Sequence, residues 1–279
     1  MLNIAERRQA CEDTLRRTPA IVASRGAEEG CSFDSKFIPA QLSPLDKSDP
    51  RYPGLDRKPF EVHNSDAFAL ARTLDRQAGS PDLAKIGVLN LASDQEPGGG
   101  WRYTLSKTQE EALCYSSTLY ATLNPKWYPF PNTGPGSCAG IISPGVVVFK
   151  DTLDRDLVDL PREQQHVVTV ITVAAPCWPV LTEDRKEFAD ASNLHDLQEK
   201  ILLILRLAAT NGLTKLVLGA MGCGAYGCPP YAVAREMKSV IEKDEFKGWF
   251  DTIVFAVYAS GPSGKENLDA FSEVFEGGS

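Results

Sequence analysis

The sequence predicts a single α/β domain with a mostly parallel or mixed sheet, helices on both faces of that sheet and an N-terminal helical extension. Two observations predict it. Apolar, β-branched segments typical of buried strands alternate along the chain with segments whose apolar residues recur at helical spacing. The chain also has 279 residues, a length that accommodates one large domain. We therefore expect residues 1–59 to form an extension packed on an α/β core of residues 60–279.

The extension divides into a helix and an irregular segment. Residues 3–17 have apolar side chains on one side and predict a helix, which Pro19 is expected to end. Residues 24–59 are polar and rich in Gly, Pro, Ser and Asp, a composition that indicates an irregular segment without a core of its own.

The core is expected to alternate between strands and helices from residue 60 onward. Five prolines indicate that residues 124–144 form a loop rather than a regular element. The predicted strands cover residues 60–64, 86–93, 146–149, 166–175, 215–220 and 251–257. The predicted helices cover residues 67–77, capped by Ser65 or Asp66, and residues 109–123 and 194–208, then one from about residue 229 and one over 266–275.

Composition and charge exclude several classes of protein. Lys plus Arg number 29 and Asp plus Glu 37, a net charge of −8, which argues against coating nucleic acid through bulk positive charge. No segment approaches the roughly 18 consecutive apolar residues of a membrane helix, and the N-terminus is too charged for a signal peptide. Seven scattered cysteines supply no zinc-type cluster. We expect a monomer in the cytoplasm or nucleus that needs no metal or cofactor and binds neither membrane nor DNA.

A glycine-rich loop after the predicted strand 86–93 carries the first candidate site. Three consecutive glycines let a ligand approach the backbone closely, and eight residues later two glutamates open a predicted helix. In an α/β sheet, ligands bind at this end of the strands. A carboxyl group close to a sugar suits glycosidic chemistry, in which it protonates the leaving oxygen and then activates water. The residues are Gly98, Gly99, Gly100, Gln109, Glu110 and Glu111.

The same residues allow a purely structural interpretation. Thr108 as N-cap and Glu111 three residues later fit a capping box, and acidic residues in a first turn favour the helix dipole in any protein. The motif by itself leaves both interpretations open.

A second glycine-rich loop follows the predicted strand 215–220. Small residues lead from this strand into a helix with proline at its first position, a turn that directs successive backbone N–H groups at one point. Diphosphate is the expected ligand, although a tight turn without any ligand has the same sequence pattern. The candidate binding residues are Gly222, Cys223, Gly224, Ala225 and Tyr226.

These motifs resemble those of the microbial-type poly(ADP-ribose) glycohydrolases, which are compact macrodomain-like proteins. The run GGG, eight residues and QEE is complete, and its flanks VLNLAS and EEALCYSSTLY are similar to the family's strand and helix. The segments ISPGV and GAMGCGAY resemble two further family segments, except that Tyr226 stands where Phe is common and Met221 where Trp is common. The resemblance spans about residues 60–275.

The resemblance implies hydrolysis of ribose–ribose O-glycosidic bonds in poly(ADP-ribose), with ADP-ribose as the product. It assigns Glu111 as general acid and base, and Glu110 as a ligand of ribose hydroxyls. Gln109 and Asn90 are expected to support them, Asn90 through a ribose hydroxyl, while Phe271 is a candidate to stack on adenine. The implied partners are poly(ADP-ribose) or ADP-ribosylated proteins, and the implied role is reversal of ADP-ribosylation, as in the DNA damage response.

Three alternatives stay open at this stage. The first is an enzyme that removes mono-ADP-ribose from a protein side chain, and the second is a protein that binds ADP-ribose without catalysis. The third is a nucleotide-binding protein of the doubly wound class, although the glycine-rich fingerprint of that class is missing. Segments 24–59 and 124–140 have no counterpart in the family and are expected to carry any special substrate preference, together with Trp101 and Trp127. The remaining tryptophans, Trp178 and Trp249, are expected to be structural.

Overall fold

A computed structural model describes residues 2–26, 29–78 and 86–277. In this part of the chain, seven strands form one mixed sheet in the order β1-β4-β5-β3-β6-β7-β2. The two pairings of β4, with β1 and with β5, are antiparallel, and the others are parallel. The predicted mixed sheet is therefore confirmed. The strands are β1 Lys36–Ile38, β2 Glu61–His63, β3 Ile86–Leu91, β4 Gly140–Val148, β5 His166–Val173, β6 Lys215–Leu218 and β7 Thr252–Ala256.

Helices cover both faces of the sheet. One core cluster lies beneath the helices of the C-terminal half, and a second lies between the sheet and the N-terminal helices. Each sheet face is thus buried, which explains the continuous apolar runs of the central strands. No described helix has the length and apolar character needed to cross a membrane. The helices are α1 Ile4–Arg25, α2 Ala67–Ala78, α3 Gln109–Ser116, α4 Ala191–Thr210, α5 Pro230–Ile241 and α6 Pro262–Glu276.

The expected end of the first helix at Pro19 is wrong, because α1 continues through the proline to Arg25. Proline removes one backbone donor from the helix, and the Thr18 hydroxyl donates to the carbonyl one turn earlier at 2.7 Å. The turns beyond the proline are held by packing, since Val22 is buried in a cluster with Phe149. Tertiary burial outweighs the local cost of the proline.

The segment 24–59 is not wholly irregular. It contains β1, which pairs with β4 at one edge of the sheet, and it then passes along α4, where Arg206 donates to the carbonyl of Leu42 at 2.9 Å. The backbone N–H of Leu55 donates to Gly248 beside β7 at 2.9 Å. Residues 27–28 of this segment lie outside the described part of the chain. The segment therefore connects one edge of the sheet to the other.

Two boundaries near the first glycine loop differ from the prediction. The helix α3 ends at Ser116, well before residue 123, and a 3₁₀ turn covers Leu119–Thr122. The predicted loop 124–144 is wrong at its end, because β4 begins at Gly140. The register of β4 against β5 shifts between Ser143 and Val146, so the strand accommodates Pro144, which has no N–H for the sheet, at an irregularity.

Candidate active site

A cavity of about 530 Å³ opens at the carboxyl ends of the parallel strands. The loops after β3, β6 and β7 and the first turn of α3 form its walls. Both glycine loops that the sequence singled out therefore meet at one site, as expected for the end of an α/β sheet where strands lead into helices.

The first glycine run closes tightly around the two glutamates. Gly99 has φ +54°, and a methyl group there would lie 2.8 Å from Oε1 of Glu111 and 3.1 Å from Oε2 of Glu110. A methyl group on Gly100 would lie 2.1 Å from the Thr104 hydroxyl. A side chain at Gly99 is excluded by both conformation and space, whereas at Gly100 the restriction is space alone.

Glu110 lies almost completely buried at the base of the cavity. Its Oε2 accepts the Ser93 backbone N–H at 2.7 Å, and its Oε1 accepts the Asn90 carboxamide at 3.1 Å. Burial raises the pKa of Glu110 to about 8; the neighbouring Glu111 carboxyl acts in the same direction, against the two hydrogen bonds. Burial thus favours the protonated form of Glu110.

Glu111 is also buried but faces the glycine run. Its Oε1 accepts the Gly100 N–H at 2.8 Å, and its Oε2 accepts the Thr108 hydroxyl. Thr108 is the N-cap of α3, yet its side chain makes no capping bond to the helix backbone. The capping-box interpretation is wrong, because the Thr108 hydroxyl and the Glu111 carboxylate bind each other and not the backbone N–H groups of a capping box.

Gln109 and Asn90 lie behind the two glutamates. Gln109 accepts the Leu91 N–H at 2.9 Å and donates to the Leu89 carbonyl at 2.7 Å, which fixes the start of α3 to the end of β3. Asn90 is fully buried and donates to Glu110 and to Thr172. Gln109 lines the cavity but Asn90 does not, so Asn90 is placed to orient Glu110. Its contact with a ribose hydroxyl stays a prediction.

The second glycine loop places backbone N–H groups on the opposite wall. In the described part of the chain, the N–H groups of Gly224, Ala225 and Tyr226 donate to no protein acceptor, and all three residues line the cavity. Gly222 begins the turn with φ +76°. The N–H of Cys223 is used by the Ala220 carbonyl at 3.1 Å. A turn with successive unused N–H groups is a candidate anion-binding nest, and Cys223 is not among the residues that line the cavity.

Asp94, which sequence reasoning missed, joins the loop after β3 to Tyr226 of the second glycine loop. The Tyr226 hydroxyl donates to the Asp94 carboxylate at 2.6 Å and accepts the Asp94 backbone N–H at 3.1 Å. Burial and the hydrogen bond to Asp94 raise the pKa of Tyr226. The tyrosine at this position therefore ties the nest to the loop after β3, a contact that phenylalanine lacks. Only the departure from the family's common Phe pointed to it.

Two aromatic expectations do not fit the structure. Phe271 has no exposed surface and packs against Phe255 with ring centroids 5.4 Å apart, so it is a core residue and does not reach the cavity. Trp101 is likewise fully buried, against Tyr120 at 4.5 Å. Burial on all sides leaves neither ring a face for a ligand. The half-exposed aromatic that does line the cavity beyond β7 is Tyr258.

The other three tryptophans differ in burial and in their distance from the cavity. Trp127 is partly buried and stacks on Phe37 at 5.9 Å, away from the residues that line the cavity. Trp249 is buried in the core, as a structural residue is. Trp178 instead exposes 68% of its surface beside Gly227 of the second loop.

Among the described residues, no three His, Cys, Asp or Glu side chains lie close enough together to bind a metal ion. What the cavity combines is a pair of buried carboxyl groups on one wall and a nest of N–H donors on another. This fold and this pair of walls define a macrodomain-like glycohydrolase.

Comparison with known proteins identifies the family within that class. The family model for the catalytic domain of microbial-type poly(ADP-ribose) glycohydrolase (PARG) matches residues 11–151, just over half of the chain. The chain belongs to the microbial-type poly(ADP-ribose) glycohydrolase family. Among curated proteins, none matches this sequence.

Two solved structures illustrate the similarity. The poly(ADP-ribose) glycohydrolase of Thermomonospora curvata bound to the inhibitor ADP-HPD is 28% identical, with a TM-score of 0.74, over 96% of this chain and 99% of that chain. The enzyme of Deinococcus radiodurans in complex with ADP-ribose is 30% identical, with a TM-score of 0.68, over 87% of this chain and 94% of that chain.

Proposed function

We propose that this protein is a poly(ADP-ribose) glycohydrolase, which hydrolyses the ribose–ribose O-glycosidic bond and releases ADP-ribose. The observation that carries the proposal is the convergence of Glu110 and Glu111 on Gly99, across the cavity from the nest at Gly224, Ala225 and Tyr226. One wall suits a glycosidic bond and the other a diphosphate, and ADP-ribose contains both a diphosphate and a terminal ribose.

Glu111 is the general acid and base of this mechanism. Its carboxyl protonates the leaving ribose oxygen while an oxocarbenium-like centre forms at the anomeric carbon, and the resulting carboxylate then removes a proton from the attacking water. The Gly100 N–H and the Thr108 hydroxyl hold this carboxyl in place. Preorganisation of this kind lowers the barrier because no reorientation is needed in the transition state.

Glu110 supports this chemistry from below. With its pKa raised to about 8, it is protonated at neutral pH and can both donate to and accept from ribose hydroxyls. Asn90, held under Glu110 by Thr172, fixes the orientation of that carboxyl.

The nest binds the diphosphate without a positively charged side chain. The backbone N–H groups of Gly224, Ala225 and Tyr226 would donate to the diphosphate, and such donors need no side-chain ordering when the ligand binds. An acidic protein with a local nest captures a chain end or a short stretch of polymer more readily than a long one.

We further propose that the protein acts as a monomer in the cytoplasm or nucleus. Light scattering tests the first part of this proposal, and we expect the mass of a single monomer.

The deciding experiment follows ADP-ribose release from poly(ADP-ribosyl)ated protein by wild type and Glu111→Gln. We expect release by wild type only, with ADP-ribose binding by calorimetry unchanged in the variant. Glu96→Gln, an exposed glutamate before the glycine run, is the matched control and should keep full activity.

Other outcomes would redirect the proposal. If wild type binds ADP-ribose but releases none from polymer or from mono-ADP-ribosylated protein, the protein is a reader. Release from the mono-ADP-ribosylated substrate alone would make it a mono-ADP-ribosyl hydrolase. Loss of ADP-ribose binding in Glu111→Gln would return that glutamate to a structural role.

A further inference from the structure

The loop between the glycine run and α3 has a charge opposite to that of the protein. From residue 97 to residue 108 it contains no acidic residue, while it carries Arg102 and Lys107, in a chain of net charge −8. Arg102, Tyr103 and Lys107 are all exposed, Tyr103 with 69% of its surface. Tyr103 therefore lies outside the core, on the same exposed loop as the two cations.

The loop presents these side chains on a rigid turn. Trp101 and Leu105, which flank the exposed residues 102–104, are buried, with at most 1% of their surface exposed. The N–H groups of Tyr103 and Leu105 both donate to the Gly100 carbonyl, at 3.2 and 2.8 Å. From α1, the Arg7 guanidinium donates to the Leu105 carbonyl at 2.7 Å. The exposed positions are therefore held before any ligand arrives, which lowers the entropic cost of binding.

The loop adjoins Glu111, the general acid that would protonate the leaving oxygen. Its first residues adjoin Gly100, whose N–H holds Glu111, and its last, Lys107, lines the cavity itself. Arg102 lies over the ring of Tyr120 at 5.9 Å. The nest for the diphosphate of the bound ADP-ribose belongs to a different loop, the one after β6, so the loop of residues 97–108 is not needed for that anion.

We propose that Arg102, Tyr103 and Lys107 form a subsite for the next ADP-ribose unit of the polymer, the one that leaves when the bond breaks. This inference rests on the proposed function. In the polymer the leaving oxygen belongs to a ribose that also carries an adenine and a diphosphate. The two cations make charge-assisted hydrogen bonds to that diphosphate, and Tyr103 offers a ring on which the adenine stacks. The subsite makes the enzyme favour chains over ADP-ribose attached to a small group.

The test compares two substrates that differ only beyond the scissile bond. One is the dimer of two ADP-ribose units, and the other is ADP-ribose joined at the same carbon to a neutral aryl alcohol. We expect Arg102→Ala/Lys107→Ala to lower kcat/KM for the dimer about tenfold and to leave the aryl glycoside within twofold. Tyr103→Ala should likewise lower kcat/KM for the dimer and leave kcat/KM for the aryl glycoside unchanged. The preference of the wild type for the dimer should weaken in high salt.

Controls separate this proposal from its premise. Arg16→Ala/Lys247→Ala removes two exposed cations elsewhere and should leave both substrates unaffected. An equal loss on both substrates, or no loss on either, overturns the subsite. Failure of the wild type to cleave either substrate overturns the proposed function instead, whereas ADP-ribose binding by the variants, measured by calorimetry, should match wild type because the product lacks the second unit.

Discussion

Replacing Glu110 by glutamine should remove a pH-dependent loss of stability. The carboxyl ionises near 4.5 when unfolded and near 8 when folded. Between these values the unfolded chain gives up a proton that the folded protein keeps, so stability is lost as the pH rises from about 4.5 to 8 and is constant above that. At 1.36 kcal/mol for each pKa unit, the loss amounts to about 5 kcal/mol. A neutral glutamine has no proton to lose.

Urea unfolding of wild type and Glu110→Gln at pH 5 and pH 9 measures this difference. We expect the two proteins to agree within about 1 kcal/mol at pH 5, and the variant to be more stable by several kcal/mol at pH 9. Glutamine is accommodated because Asn90 has a buried Oδ1 without a hydrogen-bond partner among the described residues, which can accept the new amide if the carboxamide rotates. A difference that does not change with pH would refute the reasoning, and Glu96→Gln, whose side chain is exposed, provides the flat reference.

Three further predictions concern the glycine run, the bridge between the loops and the core. Gly99→Ala, placed at φ +54° against both carboxylates, should lower turnover at least about 100-fold while the circular dichroism of the fold is retained; normal turnover would show that the carboxylates tolerate displacement. Tyr226→Phe should cost about 1–3 kcal/mol in urea unfolding, because Asp94 keeps its burial and loses a donor; an unchanged midpoint would mean that water replaces the hydroxyl. Phe271→Ala and its neighbour Phe275→Ala should each destabilise the fold by about 3–5 kcal/mol and leave the Kd for ADP-ribose within threefold, whereas a large loss of affinity confined to Phe271→Ala would restore its adenine role.

The order of the core elements was predictable because local pattern and burial agree there. The central strands β3, β5, β6 and β7 are apolar runs buried on both sides. The site was also predictable in outline. The glycine run and QEE at their spacing resemble a family motif, and in the structure Gly99 has a positive φ and no room for a side chain.

What the sequence could not predict depends on contacts between distant residues. The pair Asp94 and Tyr226 is separated by 132 positions, and no local pattern connects them. The edge strand β1 has three residues and too little periodicity to be detected. The role of Phe271 could not be predicted from its position in the helix, because the same spacing suits a ligand contact and core packing. In the structure Phe271 packs in the core with Phe255 and Phe275.

The strand order has a consequence for how the chain is assembled during synthesis. Both outermost strands, β1 and β2, come from the first quarter of the chain, but their partners β4 and β7 are made much later. Until residue 256 has left the ribosome, the partner strand of β2 is incomplete. A strand whose backbone N–H and C=O groups are unpaired can form hydrogen bonds with other chains and aggregate. Three-residue strands limit that danger. Their shortness is therefore a safeguard for the nascent chain, and lengthening β2 by design should increase aggregation during expression before it increases the stability of the finished enzyme.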